Sequence, residues 1–319
     1  MALVSNTYET YQAIGRREDL SNTIYDISPA DVPFMSMIGR TRASNTLHEW
    51  QTDALSSASD NIQKEGDEFA YDAVTPTVRL GNYTQISRKT VIVSGSQQAA
   101  NNAGRDSEIA YQLAKSSKEL KRDMEHGLTQ NNAKAAGSSG TGRESGGLET
   151  WLRTNTSRKT DASPTAGADP SAAGASAATD GSTTRALTED LLKTVIKSCY
   201  SSGGEPTVVM VGPHNKTVIS GFTGRSQARQ MVDEDKILGA ASMYASDFGD
   251  LKIIPNRFQR ERTAFVLDPE FWGIAYYRDF QQGEVAPTGD AIKRFLLVEW
   301  CLESRNEGAS GCVADLAAS

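Results

Sequence analysis

Histidine and cysteine are scarce in this sequence, three of each among 319 residues, and the scarcity removes whole classes of chemistry. Cys199, Cys301 and Cys312 are too few and too scattered for a disulfide framework, and no Cys-x-x-Cys pair points to zinc or redox work; three small buried side chains are expected. His48, His126 and His214 stand alone. No second histidine follows His48 at zinc-protease spacing. His126 falls at a helix end, where a cationic imidazole favours the dipole, and His214 lies in a turn beside Pro213. Long apolar runs are missing too: none approaches the roughly 20 residues of a membrane helix. The opening Met1-Ala2-Leu3-Val4-Ser5-Asn6 carries neither basic residues nor an apolar segment behind it, so nothing directs the chain into a membrane or out of the cytoplasm. Basic residues are outnumbered, 33 against 40 acidic, for a formal net charge of -7. That is the wrong sign for a protein that grips nucleic acid through its phosphates.

No catalytic constellation fills the gap. The glycines from Gly137 to Gly147 neither follow a buried strand nor open a helix, and no Gly-Lys-Ser/Thr comes after them, so they read as linker and not as a phosphate cradle. Gly308-Ala309-Ser310-Gly311 lacks nucleophile-elbow spacing. No cofactor or metal site is expected, and an enzyme would need a pocket of His, Cys or paired carboxylates that this pattern does not show.

What is present is an order of parts. Residues 1–46 carry short apolar clusters, Ile24-Tyr25-Asp26-Ile27 and Val32-Pro33-Phe34-Met35, broken by Pro29 and Pro33; they form either an extended arm or an N-terminal strand and turn. Residues 47–94 hold three strand-like runs, Leu47–Gln51, Thr77–Tyr83 and Thr90–Val93, the first two separated by a polar stretch from Ser56 to Asp67 with no period. A hairpin with so long a tip cannot bury both faces against its own connection and should project, unless the stretch is a plain surface loop. Asp106 or Ser107 then caps a long amphipathic helix, with Ile109, Leu113, Leu120, Met124 and Leu128 on one side and Lys115, Lys118, Glu119, Lys121, Arg122 and Glu125 on the other. From Asn131 to Thr184 composition shifts to Gly, Ser, Ala, Asn and Thr, a loop anchored by Trp151.

Order resumes with a helix capped by Thr188 and stopped by Gly203-Gly204. A buried strand, Thr207–Val211, leads through Gly212-Pro213 into a helix reaching Phe222, an α/β subdomain. The remaining runs, Leu251–Ile254, Thr263–Leu267, Trp272–Tyr277, Lys293–Ser304 and Cys312–Leu316, read as an antiparallel sheet. Between them and the second helix, Arg225, Arg229, Asp233, Glu234, Asp235 and Lys236 mix opposite charges, as a subunit contact or a solvated face would.

The wording along this order resembles the SU-ten-like branch of the major capsid proteins of tailed phages, which have the Hong Kong 97-like fold. The shared phrases are Arg17-Glu18-Asp19-Leu20-Ser21, Ile24-Tyr25-Asp26-Ile27-Ser28-Pro29, Pro33-Phe34-Met35, His48-Glu49-Trp50-Gln51-Thr52-Asp53, Gly147-Leu148-Glu149-Thr150-Trp151-Leu152 and Val209-Met210-Val211-Gly212. The resemblance implies an α+β fold with an N-arm (1–46), an extended loop (47–94), a peripheral domain carrying the spine helix and the Gly/Ser/Ala-rich insertion (95–185), an axial domain (186–292) and closing strands (293–319). It implies hexamers and pentamers of a shell in the virion, built in the host cytoplasm, that encloses DNA without sequence-specific binding, a task that an acidic chain suits.

Candidate inter-subunit contacts on that reading are Phe34 on the arm, Trp50, Asp53, Lys64, Glu65 and Asp67 on the extended loop, and Arg225, Arg229, Asp233 and Asp235 in the axial domain. A separate scaffolding protein is expected, because some relatives carry a removable leading segment whereas here the arm comes first; portal and cementing proteins are further partners. The namesake's covalent cross-link needs a matched Lys and Asn that this sequence does not identify. The other readings are a non-viral encapsulating shell of similar fold and a cytoplasmic enzyme of unrecognised type.

Overall fold

The computed structural model describes residues 31–68, 71, 73–100, 102, 106–159, 166–167, 176–222, 242–286 and 288–318. Most of the arm, and Arg225, Arg229, Asp233 and Asp235, lie outside them.

Pro33 starts α1 (Pro33–Met37), at a helix position whose N–H would have no partner anyway. Then come β1 (Gly39–Arg42), β2 (Leu47–Thr52), β3 (Val78–Tyr83), β4 (Gln85–Ser94) and α2 (Gly95–Ala99). The predicted long helix is α3 (Glu108–Thr129), with the Ser107 hydroxyl accepting from the Ala110 N–H. The Gly/Ser/Ala-rich stretch contributes α4 (Leu148–Trp151) and β5 (Thr156–Ser157) among its described residues. Thr188 caps α5 (Glu189–Ser201) through the Leu191 N–H, and β6 (Val208–Val211) leads into α6 (Pro213–Ser220). The chain closes with β7 (Met243–Ser246), β8 (Gly249–Pro255), β9 (Ala264–Leu267), β10 (Trp272–Glu284), β11 (Ala291–Ser304) and β12 (Gly311–Val313).

Among the described residues three sheets result: β1-β10-β11-β4, β5-β12-β9-β6-β8-β7 and β2-β3. The strands after Leu251 therefore do not form one antiparallel sheet. They divide between two, and β6–β8, β5–β12 and β1–β10 pair in parallel. Alternation along a strand says which residues share a face and nothing about its partner. β4, expected within the extended loop, is an edge strand of the four-stranded sheet, in register with β11 from Ser94 opposite Ala291 to Gln85 opposite Trp300.

Two cores meet at the six-stranded sheet. α3 lays Leu120, Met124 and Leu128 against Val298, Trp300 and Leu302 of β11, and this core extends to Met210, Phe265, Leu267 and Cys312 on one face of the larger sheet. Val209, Val211, Val266 and Val313 point the other way, into Leu192, Val195, Ile196 and Cys199 of α5. A sheet covered on both faces accounts for the unbroken apolar run of β6. All three cysteines are buried, and burial pushes the Cys199 and Cys312 thiols up to about 12.

One assignment on α3 reverses. Glu125, grouped with the polar side by its sequence neighbours, has no exposure at all. Its carboxylate accepts from the Phe34 and Met35 backbone N–H groups at 2.8 and 2.9 Å and from Asn256 Nδ2 at 2.6 Å. It thus satisfies the open N–H groups of α1 and joins the end of the arm to the long helix. Burial pushes this carboxyl above its ordinary range, against the pull of the three donors.

Candidate assembly surfaces

β2 and β3 form a two-stranded ribbon, paired from Leu47 opposite Tyr83 to Thr52 opposite Val78. Its root is fixed to the body by polar groups and one aromatic stack. Trp50 Nε1 donates to the Ser304 carbonyl at 2.7 Å, and the indole lies 5.3 Å from the Trp151 ring and 5.5 Å from His48. Beside it Glu303 accepts from Thr41 Oγ1 at 2.6 Å and Arg305 Nε at 3.0 Å, with His48 Nε2 at 3.3 Å. Burial alone would push Glu303 up, but these partners outweigh it and hold the carboxyl down at about 2.

The Gly/Ser-rich loop closes the other side of the root. Asn82, fully buried on β3, donates through Nδ2 to the Leu302 carbonyl at 2.8 Å and accepts the Gly146 N–H at 2.9 Å. Next to it Glu299 receives Thr84 Oγ1, Arg143 and Arg278 at 2.7, 2.5 and 2.8 Å. Burial raises the Glu299 carboxyl, and the three donors more than reverse that shift. Loop composition was legible in 131–147; that hydrogen bonds pin it to the ribbon was not.

Beyond Thr52 the ribbon has no such support. No described residue from 53 to 77 belongs to a helix or strand. A turn closes from the Asp67 N–H to the Lys64 carbonyl at 3.1 Å, where Gly66 takes φ +82°, a left-handed value that a side chain would disfavour. Within this stretch Leu55, Ile62, Tyr71 and Val74 are 100, 85, 98 and 94% exposed. Single exposed apolar side chains are ordinary, but here four of them stand on one segment without a strand partner among its described residues.

The predicted contact residues separate accordingly. Asp53, Lys64, Glu65 and Asp67 are exposed on the ribbon's outer part. Phe34 is fully buried in the chain's own core, so its side chain has no surface to offer a neighbour. Trp50 is half-buried and engaged within its own chain, as the root of the ribbon. An apolar pattern alone does not tell whose core such a residue enters. Leu55, Ile62, Tyr71 and Val74 were passed over; the signal was four large apolar side chains in a polar stretch without a period.

Among the described residues no group of three or more His, Cys, Asp or Glu could hold a metal, and no helix is long and apolar enough to cross a membrane. Two surface hollows, of about 360 Å³ beside Ile86 and Arg143 and about 610 Å³ between β4 and α3, are lined without histidine or cysteine.

Comparison with known proteins agrees with this architecture. The family model of the SU10 major capsid protein matches residues 3–317. The major capsid protein of Escherichia phage Phieco32 is 28% identical over 338 residues, covering 95% of each chain. Among solved structures, the capsid of cyanophage A-1(L) superposes with a TM-score of 0.68 at 11% identity, covering 97% of this chain and 98% of that one. A phage G structure of major capsid and decoration proteins gives 0.56 at 9%, covering 99 and 100%. The fold is the Hong Kong 97-like capsid fold. The chain belongs to the SU10 major capsid protein family: it is a structural subunit of a tailed-phage shell, a component of the virion capsid and not an enzyme.

Proposed function

We propose that this subunit closes its shell as hexamers and pentamers in which the ribbon of each copy lies on the next. The observation that carries this reading is the tip: Leu55, Ile62, Tyr71 and Val74 are almost wholly exposed on a segment that its own chain does not cover. Ordering such a segment costs about 1–2 kcal/mol per residue with no compensating burial, so a second surface has to supply it. In a closed shell the same weak contact recurs at every copy, and repetition stands in for affinity.

On this reading the arm comprises residues 1–46, and its end is latched to α3 by Glu125. The ribbon comprises 47–83 and not the whole of 47–94, because β4 pairs with β11. The peripheral domain runs through α3 to about residue 185, the axial domain over 186–292, and the strands of 293–319 join the two sheets. Asp53, Lys64, Glu65 and Asp67 contact the neighbouring copy. Arg225, Arg229, Asp233 and Asp235 are assigned to contacts around the hexamer centre on sequence grounds. Scaffolding and portal proteins take part in assembly. A cementing protein on the outside is supported by the decoration proteins in the phage G structure. The enclosed DNA is held without sequence-specific contacts, in keeping with the formal charge of -7.

Negative-stain electron microscopy of the full chain, alone and co-expressed with its scaffolding partner, tests the reading. Shells or six-membered rings are the expected result; a monomer under every assembly condition overturns it.

A further inference from the structure

Glu125 is a fully buried carboxylate, and among the described residues no cation pairs with it. Donors from two different parts of the chain meet on it instead. Oε1 takes both the Phe34 N–H of α1 at 2.8 Å and Asn256 Nδ2 at 2.6 Å, while Oε2 takes the Met35 N–H at 2.9 Å. The charged neighbours of Glu125 on α3 are directed elsewhere. Arg122 lies over the Phe258 ring at 5.4 Å, and His126 Nδ1 is 3.1 Å from the Phe258 carbonyl.

Asn256 opens the segment 256–263 that connects β8 to β9. Its backbone N–H donates to the Val211 carbonyl at the end of β6 at 2.8 Å, and its Oδ1 accepts the Phe258 N–H at 2.9 Å. The Phe258 carbonyl accepts Gln130 Nε2 at 3.1 Å and Thr129 Oγ1 at 3.4 Å from the end of α3. Further on, the Glu261 carbonyl accepts Asn215 Nδ2 of α6 at 2.7 Å, and Arg260 reaches Glu149 of α4 at 2.8 Å. The segment thus meets β6, α6, α3 and α4 through directional polar bonds, with Phe258 as its one large apolar side chain.

We propose that segment 256–263 is a joint coupling the arm to the half of the subunit built on β6 and α6, with Glu125 as the acceptor that both sides share. Lifting α1 strips two of three donors from a buried carboxylate, and shifting the segment strips the third. Either loss weakens the hold on the other side, because a buried polar group short of partners is costly. In a shell, a pull on the arm would be felt at β6 and α6 without any contact there. The coupling belongs to the folded subunit and does not depend on which surface receives the ribbon.

Hydrogen exchange of the full, unassembled chain tests the joint, read in α1, at 256–258 and, as a control, along α5. Asn256 makes no hydrogen bond to α1, yet Asn256→Ala should speed exchange at Phe34 and Met35 about tenfold while α5 keeps its protection. In the other direction Ser36→Gly, at an exposed position of α1, should speed exchange at Asn256 and Phe258 about threefold. On a Glu125→Gln background, Asn256→Ala should add less than about twofold in α1, since the shared acceptor is already altered. Effects confined to the mutated side, additive effects in α1, or loss spread equally over α5 each overturn the proposal. Should Asn256→Ala or Glu125→Gln fail to fold, Ser36→Gly decides alone: faster exchange at 256–258 with α5 unchanged supports the joint, and no change there overturns it.

Discussion

The two ends of the ribbon are opposite solutions to one problem. At the root, the backbone of β2 and β3 is paired, Trp50 is stacked and hydrogen-bonded, and Glu303, Glu299 and Asn82 each hold several partners from distant parts of the chain. At the tip, a few residues on, no described residue joins a ladder, and Leu55, Ile62, Tyr71 and Val74 face solvent. The subunit fixes with its own interactions where the ribbon departs, and on the proposed reading a neighbouring copy fixes where it lands. A rigid root with an unfinished tip suits a shell, in which one chain meets neighbours at slightly different angles.

The comparison breaks most readily at Glu303. Replacing it with alanine strands Arg305 and His48 and leaves Thr41 without its acceptor, a loss of about 2–4 kcal/mol that urea unfolding of the unassembled chain would read. Its pH signature has a definite sign. The folded carboxyl is held below its ordinary value, at about 2, so its contribution is fully present above about pH 4.5 and is lost as pH falls toward 2. Glu125 runs the other way: its carboxyl is raised by burial, so its contribution is fullest at acid pH and diminishes as pH rises through the folded value. An acid titration of Glu303→Gln should lack part of the wild-type loss between pH 4.5 and 2; an unchanged curve would place the acid-sensitive contact elsewhere.

Next in size is Trp50→Ala, which removes the Trp151 stack and the bond to the Ser304 carbonyl. Because the indole is half-buried, about 2 kcal/mol is expected, below the full cost of a core tryptophan. Hydrogen exchange should rise at Leu47–Thr52 and Val78–Tyr83 while α5 and β6 keep their protection. A loss spread evenly over the molecule would mean that the root is not a separate anchor.

How far the sequence could foretell this follows from what each signal encodes. α3 and α5 were legible because a Ser or Thr cap, an acidic first turn and a 3.6-residue apolar stripe are local properties. β6 was legible because burial on both faces leaves no polar position in it. Partners were not. Nothing in Trp272–Tyr277 or Cys312–Leu316 says that the first joins β1 and β11 while the second begins in the strand that joins β9 and β5. Glu125 has the composition of a solvated helix face, and only the arrival of α1 at that point buries it. Phe34 is buried in the chain's own core and Trp50 bonds within its own chain, since hydrophobicity measures the wish to be buried and not the partner. For the same reason Leu55 and Val74 escaped notice: in a segment without period, only their observed exposure distinguishes them.

The smallest effect on the isolated chain belongs to the tip, and there the comparison is sharpest. Leu55→Ser with Val74→Ser removes side chains that touch nothing in their own subunit, so unfolding of the monomer should shift by less than about 0.5 kcal/mol. In the shell the same pair of changes withdraws apolar area that a neighbour would cover, roughly 1.5–3 kcal/mol for each side chain fully buried. Particle formation should then require a concentration at least tenfold higher, although the subunit is as stable as before. Equal assembly would show that these side chains remain in solvent in the particle, and a destabilised monomer would show that the tip folds back on its own chain. Either result would dissolve the division between a root finished by the subunit and a tip finished by the shell.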